Sequence, residues 1–176
     1  DKVDKAISKA EENAKITLAD NQRKAIKMVM KENFSIITGG AGCGKTTVLK
    51  FILEVWNEVT KNNDIMLLAP TGRASRRMGE SVDNKYTSST IHSAFKIADE
   101  STNNYETLNP AILFIDEISM CDAKIFHIVM NNIGRNTKVV LIGDPQQLPS
   151  VKAGNVLYEL LSCSEVPRTK LNVVQR

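Results

Sequence analysis

Residues 39–47 read Gly-Gly-Ala-Gly-Cys-Gly-Lys-Thr-Thr, and Gly39, Gly44, Lys45 and Thr46 fill every fixed place of a G-x-x-x-x-G-K-[ST] loop. Glycines 39, 40, 42 and 44 let successive backbone N–H groups turn inward as an anion-binding nest, which ordinary side chains would block. Lys45 then brings a point charge to the β- and γ-phosphates of a nucleoside triphosphate, and the Thr46 hydroxyl is suited to Mg²⁺. The loop needs a strand before it and a helix after it. Residues 34–38, Phe-Ser-Ile-Ile-Thr, are a short apolar run of strand length, and residues 47–59 carry a helical periodicity. The start of that helix adds a partial positive charge where phosphates would sit. The nucleotide-binding set is therefore Gly39, Gly40, Ala41, Gly42, Cys43, Gly44, Lys45, Thr46 and Thr47.

The rest of the chain repeats the strand–helix alternation. Residues 65–69, 111–115 and 138–142 are near-continuous apolar runs, as expected of strands buried on both faces. Residues 74–82, 123–133 and 155–163 read as the crossover helices, and the tail at 169–174 as a further strand. The pattern predicts an α/β fold, a parallel sheet sandwiched by helices, with ligands beyond the carboxyl ends of the strands. Ahead of the loop strand, a helix spans about 19–31 with Ala25, Ile26, Val29 and Met30 as its buried stripe. Residues 1–16, with Val3, Ile7, Ala10 and Ala14 at helical spacing, read as a surface helix or joint to an upstream region. Residues 98–110 form the longest expected loop.

Length allows one domain, and 42% apolar residues suffice for a substantial core. A net charge of +3 neither requires nor excludes a nucleic-acid partner, so that question rests on where the charges lie. Cys43, Cys121 and Cys163 form no CxxC pair and suit a reducing, cytoplasmic setting. Of the three, Cys43 is expected to be the most reactive if accessible, because inward-facing amides favour a thiolate. No apolar run is long enough to span a membrane.

Two further clusters follow strand ends. Asp116 and Glu117 close the run at 112–115: Asp116 is placed to anchor Mg²⁺ together with Thr46, and Glu117 to act as general base on the attacking water. After the run at 138–142, the chain reads Gly143-Asp-Pro-Gln-Gln-Leu-Pro149. The Gln147 amide can there hydrogen-bond a γ-phosphate oxygen or that water.

Taken together these motifs resemble superfamily 1 helicases, specifically the RecD-like (exodeoxyribonuclease V alpha subunit) branch of superfamily 1B. The resemblance rests on 39–47 (motif I), 69–78, Ala-Pro-Thr-Gly-Arg-Ala-Ser-Arg-Arg-Met (motif Ia), and 90–93, Thr-Ile-His-Ser. It continues with 116–120, Asp-Glu-Ile-Ser-Met (motif II), and 143–149 (motif III), and covers residues 16–176. Ala41 and Cys43 stand where many relatives carry Pro and Thr, without removing a catalytic atom. The resemblance implies a RecA-like P-loop NTPase fold and the cofactors ATP and Mg²⁺. It makes Lys45, Asp116, Glu117, Gln147 and the motif IV arginine Arg176 catalytic, and gives Gln22 the adenine edge.

For single-stranded DNA it implies contacts from Pro70, Thr71, Gly72, Arg73, Thr90 and His92. Arg73, Arg76 and Arg77 also share one helix face, where they would form an electrostatic track or a merely solvated surface. Residues 17–176 would be the first RecA-like motor domain (1A) with the start of motif IV, and the second motor domain of such helicases would be absent from residues 1–176. In the intact protein the implied activity is 5′→3′ translocation driven by ATP, with other subunits of a helicase–nuclease complex as possible partners, in DNA repair or recombination. The helicase portion of a conjugative relaxase and a non-catalytic nucleotide-gated module are the alternatives. Glu117 and Gln147 speak against the latter, since merely holding ATP requires no water-activating acid.

Overall fold

A computed structural model describes residues 1–40, 42–102, 104–147 and 155–172. The elements run α1 (Lys2–Ala14), α2 (Asp20–Lys31), β1 (Phe34–Thr38), α3 (Lys45–Thr60), β2 (Ile65–Ala69), α4 (Gly72–Ser81), β3 (Thr87–Thr90) and α5 (Ile91–Phe95). They continue with β4 (Ile112–Ile115), a 3-10 turn at Ile118–Met120, α6 (Ala123–Asn131), β5 (Lys138–Gly143), α7 (Val156–Ser162) and β6 (Arg168–Lys170). The six strands form one parallel sheet in the order β3-β2-β4-β5-β1-β6. Helices cover both faces, so the predicted α/β sandwich is the observed one.

Strand alternation assigns the two cores. Ile37, Leu67, Phe114 and Val140 point toward one face, under α1 to α4. Ile36, Leu68, Leu113 and Leu141 point to the other, under α5 to α7. Because successive strand side chains face opposite ways, a central strand must be apolar at every position, which is why β4 reads Ile-Leu-Phe-Ile and is buried throughout. The fully enclosed Phe114 alone contributes about 1.5–3 kcal/mol of burial.

The structure adds to the expectations in three places. The expected N-terminal helix is α1, and it is packed into the core: Ile7 is wholly buried and α1 packs on α3 and α2. Glu11 secures its end, accepting from the Leu18 N–H at 2.8 Å and from Arg23. Secondly, β3 and α5 appear where no element was expected. Thr87-Ser-Ser-Thr90 lacks an apolar pattern because β3 is an edge strand with little of its surface buried. Thirdly, the tail strand is β6 at Arg168–Lys170, earlier and shorter than 169–174, and positions 173 and 174 lie outside the described residues.

Lys138, at the start of β5, ties the sheet to α2. Its ammonium donates to the carbonyls of Val29, Met30 and Glu32, the open C-terminal acceptors of that helix, at 2.7, 3.1 and 2.8 Å. Burial pushes its pKa below the ordinary lysine value, with the Glu32 charge opposing.

Candidate nucleotide and DNA site

β1 ends at Thr38 and passes straight into the glycine loop, whose first N–H, on Gly39, donates to the Gly143 carbonyl at 3.2 Å. That bond pins the loop to the end of β5. The chain then turns through Gly42 and Gly44, both left-handed at φ 78° and 82°, a backbone state that side chains resist. Gly44 is also the N-cap of α3, with no side-chain cap for the first turn of that helix. A 16-residue helix thus opens with uncapped amide donors, the setting that favours an anion. Lys45 lies in that first turn, and its ammonium donates to the Gly39 carbonyl at 2.8 Å. An ammonium resting on its own loop's carbonyl is positioned beside the phosphate position and loses a single neutral acceptor on turning to a phosphate.

The catalytic candidates converge. Lys45, Thr46, Asp116, Glu117 and Gln147 line one cleft of about 230 Å³, bounded by Leu49 and Ile142 and by the inner face of α4. β4 delivers Asp116, whose N–H donates to the Leu68 carbonyl on β2 at 2.9 Å. The Asp116 carboxylate accepts from the Glu117 N–H at 2.8 Å. Burial holds Asp116 above the usual carboxylate range, and the neighbouring Glu117 charge adds to this; the Glu117 N–H, Lys45 and Arg77 oppose it. Glu117 is left-handed at φ 53°, a strained backbone state for a non-glycine residue that aims its carboxylate across the cleft. There it meets the Arg77 guanidinium of α4 at 3.1 Å.

β5 delivers the third cluster. The Asp144 carboxylate accepts from the Gln146 N–H at 2.9 Å and the Asp144 carbonyl from the Gln147 N–H at 3.1 Å, a tight turn that returns Gln147 to the cleft. The preceding Gly143 has no room for a side chain: a Cβ there would stand 2.8 Å from Ile118 Cγ2 and 3.0 Å from Leu157 Cδ2.

The donor set fits Mg²⁺. No group of three or more His, Cys, Asp or Glu side chains gathers among the described residues, so there is no all-protein cation cage. One hydroxyl (Thr46) and one desolvated carboxylate (Asp116) on a shared cleft are what a small hard cation needs when water and phosphate oxygens supply the remaining ligands.

Gln22 does not line this cleft. It sits buried in the first turn of α2, its amide oxygen accepting from the Ala19 N–H at 2.8 Å while its buried amide nitrogen finds no partner among the described residues. Ala41 and Arg176 lie outside the described residues.

The residues expected to contact DNA gather elsewhere, at the carboxyl ends of β2 and β3. These strands pair with Ala69 opposite Thr90, so Pro70, Thr71, Gly72 and Arg73 lie beside Thr90 and His92. Thr71 and Thr90 cap α4 and α5, accepting from the N–H groups of Ala74 and Ser93 at 3.1 Å each. Arg73, Arg76 and His92 are exposed. Arg77 departs from the expected track, since it pairs with Glu117 in the nucleotide cleft. Sequence reasoning missed Arg77, Met78 and Ser81 as cleft residues. The signal was their spacing with Ala74 at i, i+3, i+4 and i+7, one stripe of a helix. Trp56 is a core residue, 7% exposed, with its indole N–H donating to the Asn62 carbonyl at 2.9 Å.

Residues 22–153, which span the loop, both acidic positions and Gln147, match the AAA_19 family, an AAA domain. This chain belongs to that family. Within it the domain is RecD-like. It is 36% identical to the RecBCD enzyme subunit RecD of Haemophilus influenzae, over 80% of this chain and 26% of that protein. It is 30% identical to the ATP-dependent RecD2 DNA helicase of Deinococcus radiodurans, over 90% of this chain and 22% of that one. The domain therefore spans about a quarter of the length of these relatives. Its fold is shared with Bacteroides Pif1 bound to ssDNA, with a TM-score of 0.63 and 22% identity over 90% of this chain and 42% of that one.

Proposed function

We propose that this chain is the ATP-binding first motor domain of a RecD-like DNA helicase, which in the intact protein couples Mg²⁺-dependent ATP hydrolysis to 5′→3′ movement on single-stranded DNA. The observation that carries this reading is the convergence of Lys45, Thr46, Asp116, Glu117 and Gln147 on one cleft at the uncapped start of α3. Lys45 leaves the Gly39 carbonyl for the β- and γ-phosphates, and the loop amides take the remaining phosphate oxygens. Thr46 and Asp116 hold Mg²⁺, which when bound neutralises the charge developing on the transferring phosphoryl group. Glu117 accepts the proton of the attacking water, and Gln147 hydrogen-bonds that water or the γ-phosphate. The Gln22 amide nitrogen, without a partner among the described residues, supports its role at the adenine edge, as a buried donor is costly to leave unmade. Arg176, by resemblance, reaches the γ-phosphate.

DNA phosphates lie along the β2–β3 edge, with Pro70, Thr71, Gly72, Arg73, Thr90 and His92 as the contact set. We further propose a second motor domain beyond this one, a cytoplasmic setting, and assembly with other subunits where the protein belongs to a helicase–nuclease complex. No helix among the described residues is long and apolar enough to cross a membrane. The test is strand displacement by the intact protein on duplexes with a 5′ or a 3′ single-stranded tail. Unwinding only from the 5′ tail with ATP and Mg²⁺ is expected, and unwinding from the 3′ tail would refute the polarity. This chain alone should bind ATP yet turn it over slowly, because arginines from a second domain are worth about 10³- to 10⁵-fold in rate. Rapid DNA-stimulated hydrolysis by this chain alone would overturn the two-domain reading.

A further inference from the structure

α4 has two ends with different neighbours. Its N-terminus, Gly72 capped by Thr71, stands at the β2–β3 edge with Arg73. Its inner stripe of Ala74, Arg77, Met78 and Ser81 forms one wall of the nucleotide cleft. Gly72 and Arg77 are five residues apart on one helix, about 7.5 Å along its axis. A rigid element of that length transmits displacement from one end to the other.

Arg77 also engages the one carboxylate that must be free to take a proton. Its guanidinium donates to Glu117 Oε1 at 3.1 Å. The bond draws the Glu117 carboxylate toward α4 and fixes where it points, so this contact is a restraint on the orientation of the base rather than a step in the reaction. The restraint is a light one. The Arg77 side chain is 64% exposed, and exposed ion pairs are weak enough for a modest movement of the helix to break them.

Resting on the reading of Glu117 as general base, we infer that Arg77 is a positioning residue that holds the Glu117 carboxylate away from the attacking water until strand binding at the N-terminus of α4 shifts the helix. Hydrolysis is thereby linked to occupancy of the β2–β3 edge by nucleic acid. The coupling passes through a single helix.

The test is steady-state ATP hydrolysis by the intact protein, with and without a single-stranded oligothymidylate. In Arg77→Ala the DNA-free kcat should rise by about 1.5- to 5-fold, the shift that releasing an exposed ion pair permits. The KM for ATP and the DNA-saturated kcat should hold, so the stimulation ratio falls by the same factor. Arg77→Lys, which keeps a cation opposite Glu117, should return the DNA-free kcat toward its original value. A DNA-free kcat that falls or stays unchanged in Arg77→Ala overturns the restraint. So does a raised KM, which would make Arg77 a phosphate contact. Adding Glu117→Gln to Arg77→Ala should remove hydrolysis with and without DNA; survival of the increase would show that Glu117 is not the base. Absence of any DNA-stimulated turnover in the unaltered protein would instead overturn the helicase reading, and the inference with it.

Discussion

The phosphate loop and the β2–β3 edge are both places where parallel strands hand over to helices, yet they treat their helix starts in opposite ways. At the edge, Thr71 and Thr90 accept from the N–H groups of Ala74 and Ser93, so each helix caps itself. At the loop, Gly44 supplies no side chain, and the opening turn of α3 has no side-chain cap. A helix whose donors lack an internal partner is stabilised when an anion arrives, whereas a capped one gains less. Nucleotide recognition is therefore built into the backbone, while the proposed strand recognition at the edge would fall to groups with something left to give. Those groups are the proton of a capping hydroxyl, which still donates while its oxygen accepts, and the exposed Arg73. Strand binding there should be weaker, less directional and more sensitive to salt.

The largest effect that tests this contrast separates binding from chemistry inside the cleft. Lys45→Ala should remove measurable ATP binding in titration calorimetry. Glu117→Gln should keep Mg²⁺-ATP binding and slow hydrolysis by about 10²- to 10⁴-fold, the usual worth of a general base. Equal loss of affinity in both variants would contradict the assigned roles.

The next effect belongs to the edge. Thr71→Ala leaves the Ala74 N–H without its cap and should lower stability by about 0.5–2 kcal/mol in urea denaturation, while Thr71→Ser should restore most of it. ATP affinity should be unaffected in either variant. If Thr71→Ala were as stable as the unaltered chain and lost only strand binding, the hydroxyl would serve DNA alone and the comparison would fail.

What could be read from sequence follows the same division. The loop was legible because backbone chemistry of this kind demands glycines at fixed places, and the central strands because burial on both faces demands unbroken apolar runs. Asp116, Glu117 and Gln147 were legible as polar clusters at strand ends, where such sheets place their sites. β3 was not, because an edge strand carries no such demand: Thr87-Ser-Ser-Thr90 would serve equally well as a loop. Nor was the meeting of Arg77 with Glu117, forty residues apart in the chain, because helix periodicity says which side chains share a face but not what that face meets. The integral packing of α1 was hidden for a related reason. Its apolar stripe was legible at Ile7 and Ala10, but what that stripe meets was not, and only the contact with α3 shows it to be core.

That N-terminal region sharpens the contrast, because its polar groups are paired in the manner of the edge. Glu11 accepts from Leu18 N–H and from Arg23, and these contacts, the Leu18 bond foremost, hold its carboxyl below the usual range while burial opposes them. A depressed carboxylate pKa contributes stability that is present above the unfolded value, near 4.5, and lost as pH falls through the folded one. Glu11→Gln should accordingly melt at a lower temperature than the unaltered chain at neutral pH, with the gap closing as the pH is taken below the unfolded value and through the folded one. A gap independent of pH would mean that the carboxylate charge plays no part in docking α1 on α2.

The smallest expected effect uses the cysteines as reporters of the two kinds of environment. Cys121 is buried, and burial, helped by the Asp122 charge, pushes its thiol up to about 12, so it should resist alkylation until the chain unfolds. Cys163 is exposed just beyond α7 and away from the cleft, so it should react at a rate that ATP does not change. Cys43 is half-buried within the loop, with its N–H donating to the Gly40 carbonyl at 3.2 Å and the open start of α3 immediately after it. If those uncapped amides supply the positive potential argued for phosphate, Cys43 should outpace the more accessible Cys163 in the absence of nucleotide. Mg²⁺-ATP should then slow Cys43 alone. Mass-spectrometric mapping after brief alkylation reads all three sites together: faster reaction at Cys163 would show that exposure outweighs the field of the loop, and an unprotected Cys43 would place the nucleotide elsewhere.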